Sequence, residues 1–181
     1  MKTRSTNSGN AMIEFTLVGI PLIFVLLITF EMARGRWTYA TLAHAVREGA
    51  RYAVVHGKDC STPPNQCSIT VGNVAAVIRD AGVGLDPNDL YVAMLTASPR
   101  AVPTITYTRL SSLLTNNSVF GGDSMGVAGN DMIVTGIYHF RTAIVAIAPG
   151  PPLPPPVPAG GEPTETGIFR LGAMSRERIE F

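Results

Sequence analysis

The spacing of apolar and polar positions changes along this chain, and each change predicts a different element. Residues 11–30 read AMIEFTLVGIPLIFVLLITF, with Glu14 as the single charge. About twenty residues at ~1.5 Å rise span the ~30 Å hydrocarbon core of a bilayer, so the run predicts a membrane helix over residues 10–33. A cleaved secretory signal is one alternative. Its apolar core would run roughly 7 to 15 residues and end in a small-x-small site, whereas Glu31, Met32, Ala33, Arg34, Gly35 and Arg36 follow here. A buried core helix is the other alternative. Beyond the run, Tyr39, Leu42, Val46, Ala50 and Ala53 recur at helical spacing with Arg47, Arg51 and Lys58 off the stripe. The spacing predicts one continuous helix of about forty residues, half in lipid and half in a folded domain, with Gly57 as its stop.

Val74, Val77, Ile78 and Ala81 keep the pattern of a short amphipathic helix, with Asn73 as its expected N-cap and Gly82 just past its end. After the turn Asp86, Pro87, Asn88 the period falls to two. Residues 90–97, 104–108 and 132–142 are rich in β-branched and aromatic side chains and predict strands, and residues 168–181 place Phe169, Leu171, Ala173, Ile179 and Phe181 on one face. Residues 110–129 read as a Gly- and Asn-rich connection. The expected fold class is α+β: a long N-terminal transmembrane helix continuing into a small domain with a second helix and an antiparallel sheet of about four strands, pilin-like in layout.

Residues 149–158 hold seven of the fourteen prolines, within an insert that runs over 149–163. Such a segment is stiff and extended, and it is expected to be an exposed connection; an SH3-type ligand is the competing reading, ill matched to the compartment inferred below. The apolar residues 143–148 fit either a strand extension or a partner-facing patch. The expected division is a leader at 1–9, a transmembrane helix at 10–33 and an outer α+β domain at 34–181 carrying the proline-rich insert.

Composition narrows the function. The 181 residues allow one modest domain, and the 46% hydrophobic content is concentrated near the start. A net charge of +1 without a clustered basic face gives no case for nucleic acid. Lys2 and Arg4 precede the apolar run while Arg34 and Arg36 follow it, so positive charge does not fix orientation. Cys60 and Cys67 bear on that question. They are the only two cysteines and close a short loop with Pro63, Pro64 and Asn65, which reads as a disulfide and places the C-terminal part outside the cytosol, in the periplasm or beyond. Two free thiols, or a metal held with His56 and His139, are the other readings, although the spacing matches no standard zinc module.

Catalytic readings are weaker. Residues 122–126, GDSMG, carry the letters of a nucleophile elbow with Ser124, but no strand–turn–helix context surrounds them in a chain of 18 glycines. His44 and Glu48 lie one helical turn apart without a second ligand pair. The chain is expected not to be an enzyme and to need no cofactor or metal.

The string Gly9, Asn10, Ala11, Met12, Ile13, Glu14, Phe15, with Leu17, Pro21 and REGARYA over residues 47–53, resembles the TadE-like family of tight-adherence (Flp, type IVb) pilus pseudopilins. The resemblance covers about a third of the chain well. It implies that a membrane-embedded prepilin peptidase cuts between Gly9 and Asn10, leaving Glu14 as the fifth residue of the mature chain. The implied function is that of a minor pilin or pseudopilin at the inner membrane. Its implied partners are the major pilin, other pseudopilins and the inner-membrane assembly platform, and the chain could enter an extracellular pilus.

A carboxylate in an apolar helix is costly unless paired, and cleavage would supply the α-amine of Asn10 to a neighbouring subunit's Glu14; a carboxylate placed near a helix start by the macrodipole is the plainer reading. Pro21 removes one helical hydrogen bond, which either aids extraction and filament packing or is a proline merely tolerated in a membrane helix. The competing functional class is an uncleaved, membrane-anchored periplasmic binding or sensor module.

Overall fold

The computed structural model describes residues 8–56, 70–97, 105–118, 130–142 and 168–178. Helix α1 runs unbroken over Ser8–Val55, 48 residues, with Pro21 inside it. Among the described residues none covers the apolar part of its first half: Phe15 is 74% exposed and Phe30 69%. Its second half enters the core through Thr38, Leu42, Ala45, Val46, Ala50 and Ala53, all buried. The phase of this stripe falls on Thr38 rather than on Tyr39, which is half exposed. The expected stripe is therefore right from Leu42 onward and off by one residue at its start.

Helix α2, Val71–Ala81, packs on α1, and Val74, Ala75 and Ile78 are buried. Its cap is Thr70, not the expected Asn73. The Thr70 hydroxyl accepts from the Asn73 backbone N–H, and the Asn73 side chain accepts from the Thr70 backbone N–H. Asn73 is thus the third helical residue of a reciprocal capping box. The remaining N-terminal donors are met by a neighbouring loop, Val71 N–H bonding Ser118 O at 3.0 Å and Gly72 N–H bonding Asn116 O at 2.9 Å. Gly82 lies just past the helix end as expected.

The strands are β1, Leu90–Ala97; β2, Thr108–Arg109; β3, Asp131–Arg141; and β4, Ile168–Arg178. They form one antiparallel sheet in the order β2-β1-β3-β4. β1 and β3 coincide with the expected segments to within a residue. β2 does not: the strand expected over 104–108 is reduced to Thr108 and Arg109, paired with Val92 and Tyr91. The chain leaves the sheet at once into a short helix, α3, Leu110–Leu113, where Leu110 is buried and Ser111 N–H bonds Pro87 O. Burying one leucine removes the backbone from the sheet edge, and this helix was not expected in the Gly- and Asn-rich connection.

The second half of α1 lies across β3 and β4. Gly136, paired with Val92 on one side and Ala173 on the other, makes the close approach possible: a Cβ there would lie 2.8 Å from Val46 Cγ2 and 3.2 Å from Leu42 Cδ1. On β4, Leu171 and Ala173 pack against the core while Met174 is 65% exposed. The sheet edge is tied by Arg176, whose Nε donates to Asp131 Oδ2 at 2.8 Å. The fold is therefore the expected one, a long apolar N-terminal helix entering a small domain with a helix and a four-stranded antiparallel sheet.

Candidate functional site

The apolar rod at the start of α1 is the most unusual surface of the molecule. Among the described residues it is the one helix long and apolar enough to cross a membrane, and none of its most apolar window is covered by the rest of the chain. A large contiguous apolar surface marks a membrane or protein interface. Its polar groups are met internally. Thr16 Oγ1 donates to Met12 O at 3.1 Å and Ile13 O at 3.0 Å, and Thr29 Oγ1 donates to Val25 O at 2.5 Å and Leu26 O at 3.1 Å, which lets a hydroxyl reside in hydrocarbon.

Glu14 is the exception. It is exposed on the rod and makes no ion pair among the described residues. Gly9 and Asn10 fall in the first turn of α1, Phe15 is the next exposed aromatic, and Pro21 interrupts the hydrogen-bond ladder without ending the helix. The structure thus brings Gly9, Asn10, Glu14, Phe15 and Pro21 onto a single rod. Cys60 and Cys67, the proline-rich insert, residues 143–148 and the GDSMG stretch lie outside the described residues.

Where the rod meets the domain, a cluster of side chains forms that the sequence reading missed. Glu31 pairs with Arg34 at 3.5 Å, a contact that lacks hydrogen-bond geometry and counts as charge attraction alone. The Arg34 guanidinium lies over the Phe140 ring, and its Nη2 donates to Arg141 O. Thr38 Oγ1 donates to Arg34 O at 2.9 Å. Trp37 packs against the turn after α2. The available signal was a lone tryptophan and an arginine pair immediately after an apolar run.

The histidines His56 and His139, and Glu48, make local contacts among the described residues. Glu48 pairs with Arg51 at 3.5 Å. His56 Nδ1 lies 2.9 Å from Tyr52 O, its ring 4.2 Å from the Tyr52 ring. His139 is buried in β3, with its ring 4.9 Å from Tyr91 and its backbone N–H bonded to Asp89 O. His56 and His139 lie at opposite ends of the domain. His139 precedes Phe140, which packs near Gly35, whereas His56 is twenty-one residues further along α1, about 30 Å by helical rise. They are too far apart for a shared ion. Among the described residues no group of His, Cys, Asp and Glu could hold a metal.

Among the described residues, an exposed apolar rod joined to an α+β domain fits a membrane-anchored protein with one N-terminal span. The family described as TadE-like protein matches residues 9–51, the apolar half of α1 and most of its buried half. That family implies a role in tight-adherence pilus systems. The comparisons found no matching curated protein and no matching solved structure.

Proposed function

We propose that the chain is a minor pilin or pseudopilin, cut after Gly9 by a prepilin peptidase, that takes part in assembling a tight-adherence type IV pilus. The observation that carries this is Glu14, exposed and without an ion pair among the described residues, on an otherwise apolar rod within the segment that matches the TadE-like family. A carboxylate facing hydrocarbon is unfavourable by several kcal/mol or more unless it is neutralised. Cleavage creates a cation four residues before it, and in a bundle of parallel rods the α-amine of one Asn10 meets the Glu14 of the next. The role is structural rather than catalytic.

On this reading the domain after α1 lies in the periplasm, supported by the adjacent pair Cys60 and Cys67, whose closure as a disulfide requires an oxidising compartment. The partners are the prepilin peptidase, the major pilin, other pseudopilins and the inner-membrane platform. The test uses cells that make the pilus. Sheared filaments are expected to contain the chain together with the major pilin, and Glu14→Ala is expected to remain in the membrane, inserted but absent from the sheared fraction. Equal recovery of wild type and variant would return Glu14 to a merely tolerated carboxylate. Retention of both in the membrane would favour an anchored periplasmic module.

A further inference from the structure

We propose that a rim formed by Trp37 and the turn between α2 and β1 rests in the headgroup layer of the bilayer that α1 crosses, giving the outer domain a second membrane contact beside its stalk. This rests on the reading of residues 10–33 as a membrane span. The placement follows from how α2 returns along α1. Gly49 meets Ile78, Ala45 meets Gly82, and Trp37 meets Gly84, so each step toward the end of α2 moves closer to the membrane end of α1. The turn at residues 82–84 is therefore the lowest part of this layer.

Gly84 has φ +84°, and a Cβ on it would lie 2.8 Å from Trp37 Cη2. A left-handed backbone pressed against an indole admits only glycine at low cost. Despite this contact Trp37 is 55% exposed, and the adjacent Val83 is 67% exposed. A large aromatic and an aliphatic side chain thus leave adjoining apolar surface uncovered at the point where the rod enters the domain.

Depth identifies the occupant. Trp37 follows residue 33, the end of the expected span, by four residues, about 6 Å of helical rise, and Phe30, the end of the apolar run, by seven, about 10 Å, which places it at the outer edge of the ~5–7 Å headgroup layer on each side of the hydrocarbon. Tryptophan favours that depth because its ring is apolar and its N–H is polar. Arg36 beside it is exposed, and such a cation attracts lipid phosphates, while Arg34 is held by Phe140 and Arg141 O. The apolar rim is continuous with the rod and bordered by positive charge, which fits a lipid surface.

Trp37 is the only tryptophan, so the full chain can be given one reporter at a time. W37F/V83W, W37F/N117W and W37F/I20W are reconstituted in vesicles of phosphatidylcholine and phosphatidylglycerol whose acyl chains are brominated either near the headgroup or near the chain end. Asn117 lies beside the opposite end of α2. The expected result is loss of V83W emission to the shallow bromines, loss of I20W emission chiefly to the deep ones, and no loss for N117W. Quenching of I20W without quenching of V83W overturns the rim while leaving the membrane span intact. Absence of I20W quenching overturns both. A V83W signal that is blue-shifted, unquenched and dependent on the protein-to-lipid ratio shows a second copy on the rim and also overturns the proposal. Should V83W fail to fold, Val83→Asp with the native Trp37 as reporter is expected to reduce shallow quenching of Trp37; unchanged quenching overturns the proposal.

Discussion

The Arg34 guanidinium carbon lies 4.7 Å from the centroid of the Phe140 ring, so the turn of α1 that emerges from the apolar run is fastened to the end of β3. The same guanidinium donates to Arg141 O. The contact makes the rod and the sheet one mechanical unit, with the joint at the expected membrane boundary. Arg34→Ala is expected to lower the stability of the domain by about 2 to 4 kcal/mol, the sum of a partly exposed cation–π contact and one hydrogen bond from a charged donor. Arg34→Lys is expected to recover only part of this, because an ammonium neither stacks on the ring nor spreads its donors in a plane. Urea unfolding of the full chain in detergent micelles, followed through the tertiary signal, measures both.

Gly49 is expected to resist enlargement. A Cβ at this position would lie 2.3 Å from Ile78 Cγ1 and 2.8 Å from Cδ1, and Ile78 is fully buried. Gly49→Ala gains about 1 kcal/mol of helix propensity but incurs about 1 to 3 kcal/mol of overpacking, so the net change runs from neutral to about 2 kcal/mol destabilising, the upper end favoured by the 2.3 Å overlap with Ile78 Cγ1. In the Gly49→Ala background, Ile78→Ala is expected to cost less than it does alone, because the space it vacates relieves the overlap. Equal costs in the two backgrounds would show that α2 shifts instead of clashing. The same denaturation experiment on the four-variant cycle supplies the coupling.

The cap of α2 offers a test that leaves the core untouched. Thr70→Ala removes the hydroxyl that accepts from the Asn73 N–H and is expected to cost about 0.5 to 2 kcal/mol. Thr70→Ser is expected to be nearly neutral. Amide exchange in the first turn of α2 should quicken in the alanine variant and stay slow in the serine one.

These positions show what local pattern carries and what it omits. The membrane run, the stripe from Leu42 to Ala53, and strands β1 and β3 are legible because a single face of each must be apolar over several turns or pleats. The Thr70 cap was also present as Thr70-Val71-Gly72-Asn73, a capping box with Asn in place of the usual Glu or Gln. β2 was overestimated because strand propensity over 104–108 does not reveal that Leu110 would be buried and draw the chain off the edge. The joint of Arg34, Phe140 and Trp37 involves residues far apart in sequence, and tertiary pairing of this kind leaves no local period. Glu14 and Pro21 stand out in the sequence for the opposite reason: each breaks the local pattern of an apolar helix.

The cleavage site has its own prediction. A peptidase that receives a small residue before the cut is expected to reject Gly9→Leu, leaving the leader attached and the chain heavier by the mass of residues 1–9. Gly9→Ala is expected to slow processing. Immunoblots of cells containing the peptidase report both, and unchanged processing of the leucine variant would remove Gly9 from the site.

The account rests on a carboxylate in an apolar rod finding its partner in a newly made α-amine, and the most direct test is the N-terminus of the chain extracted from the membranes of cells that contain the peptidase. Intact mass with N-terminal sequencing is expected to show a chain that begins at Asn10. A chain that still begins at Met1 or Lys2 would contradict the account.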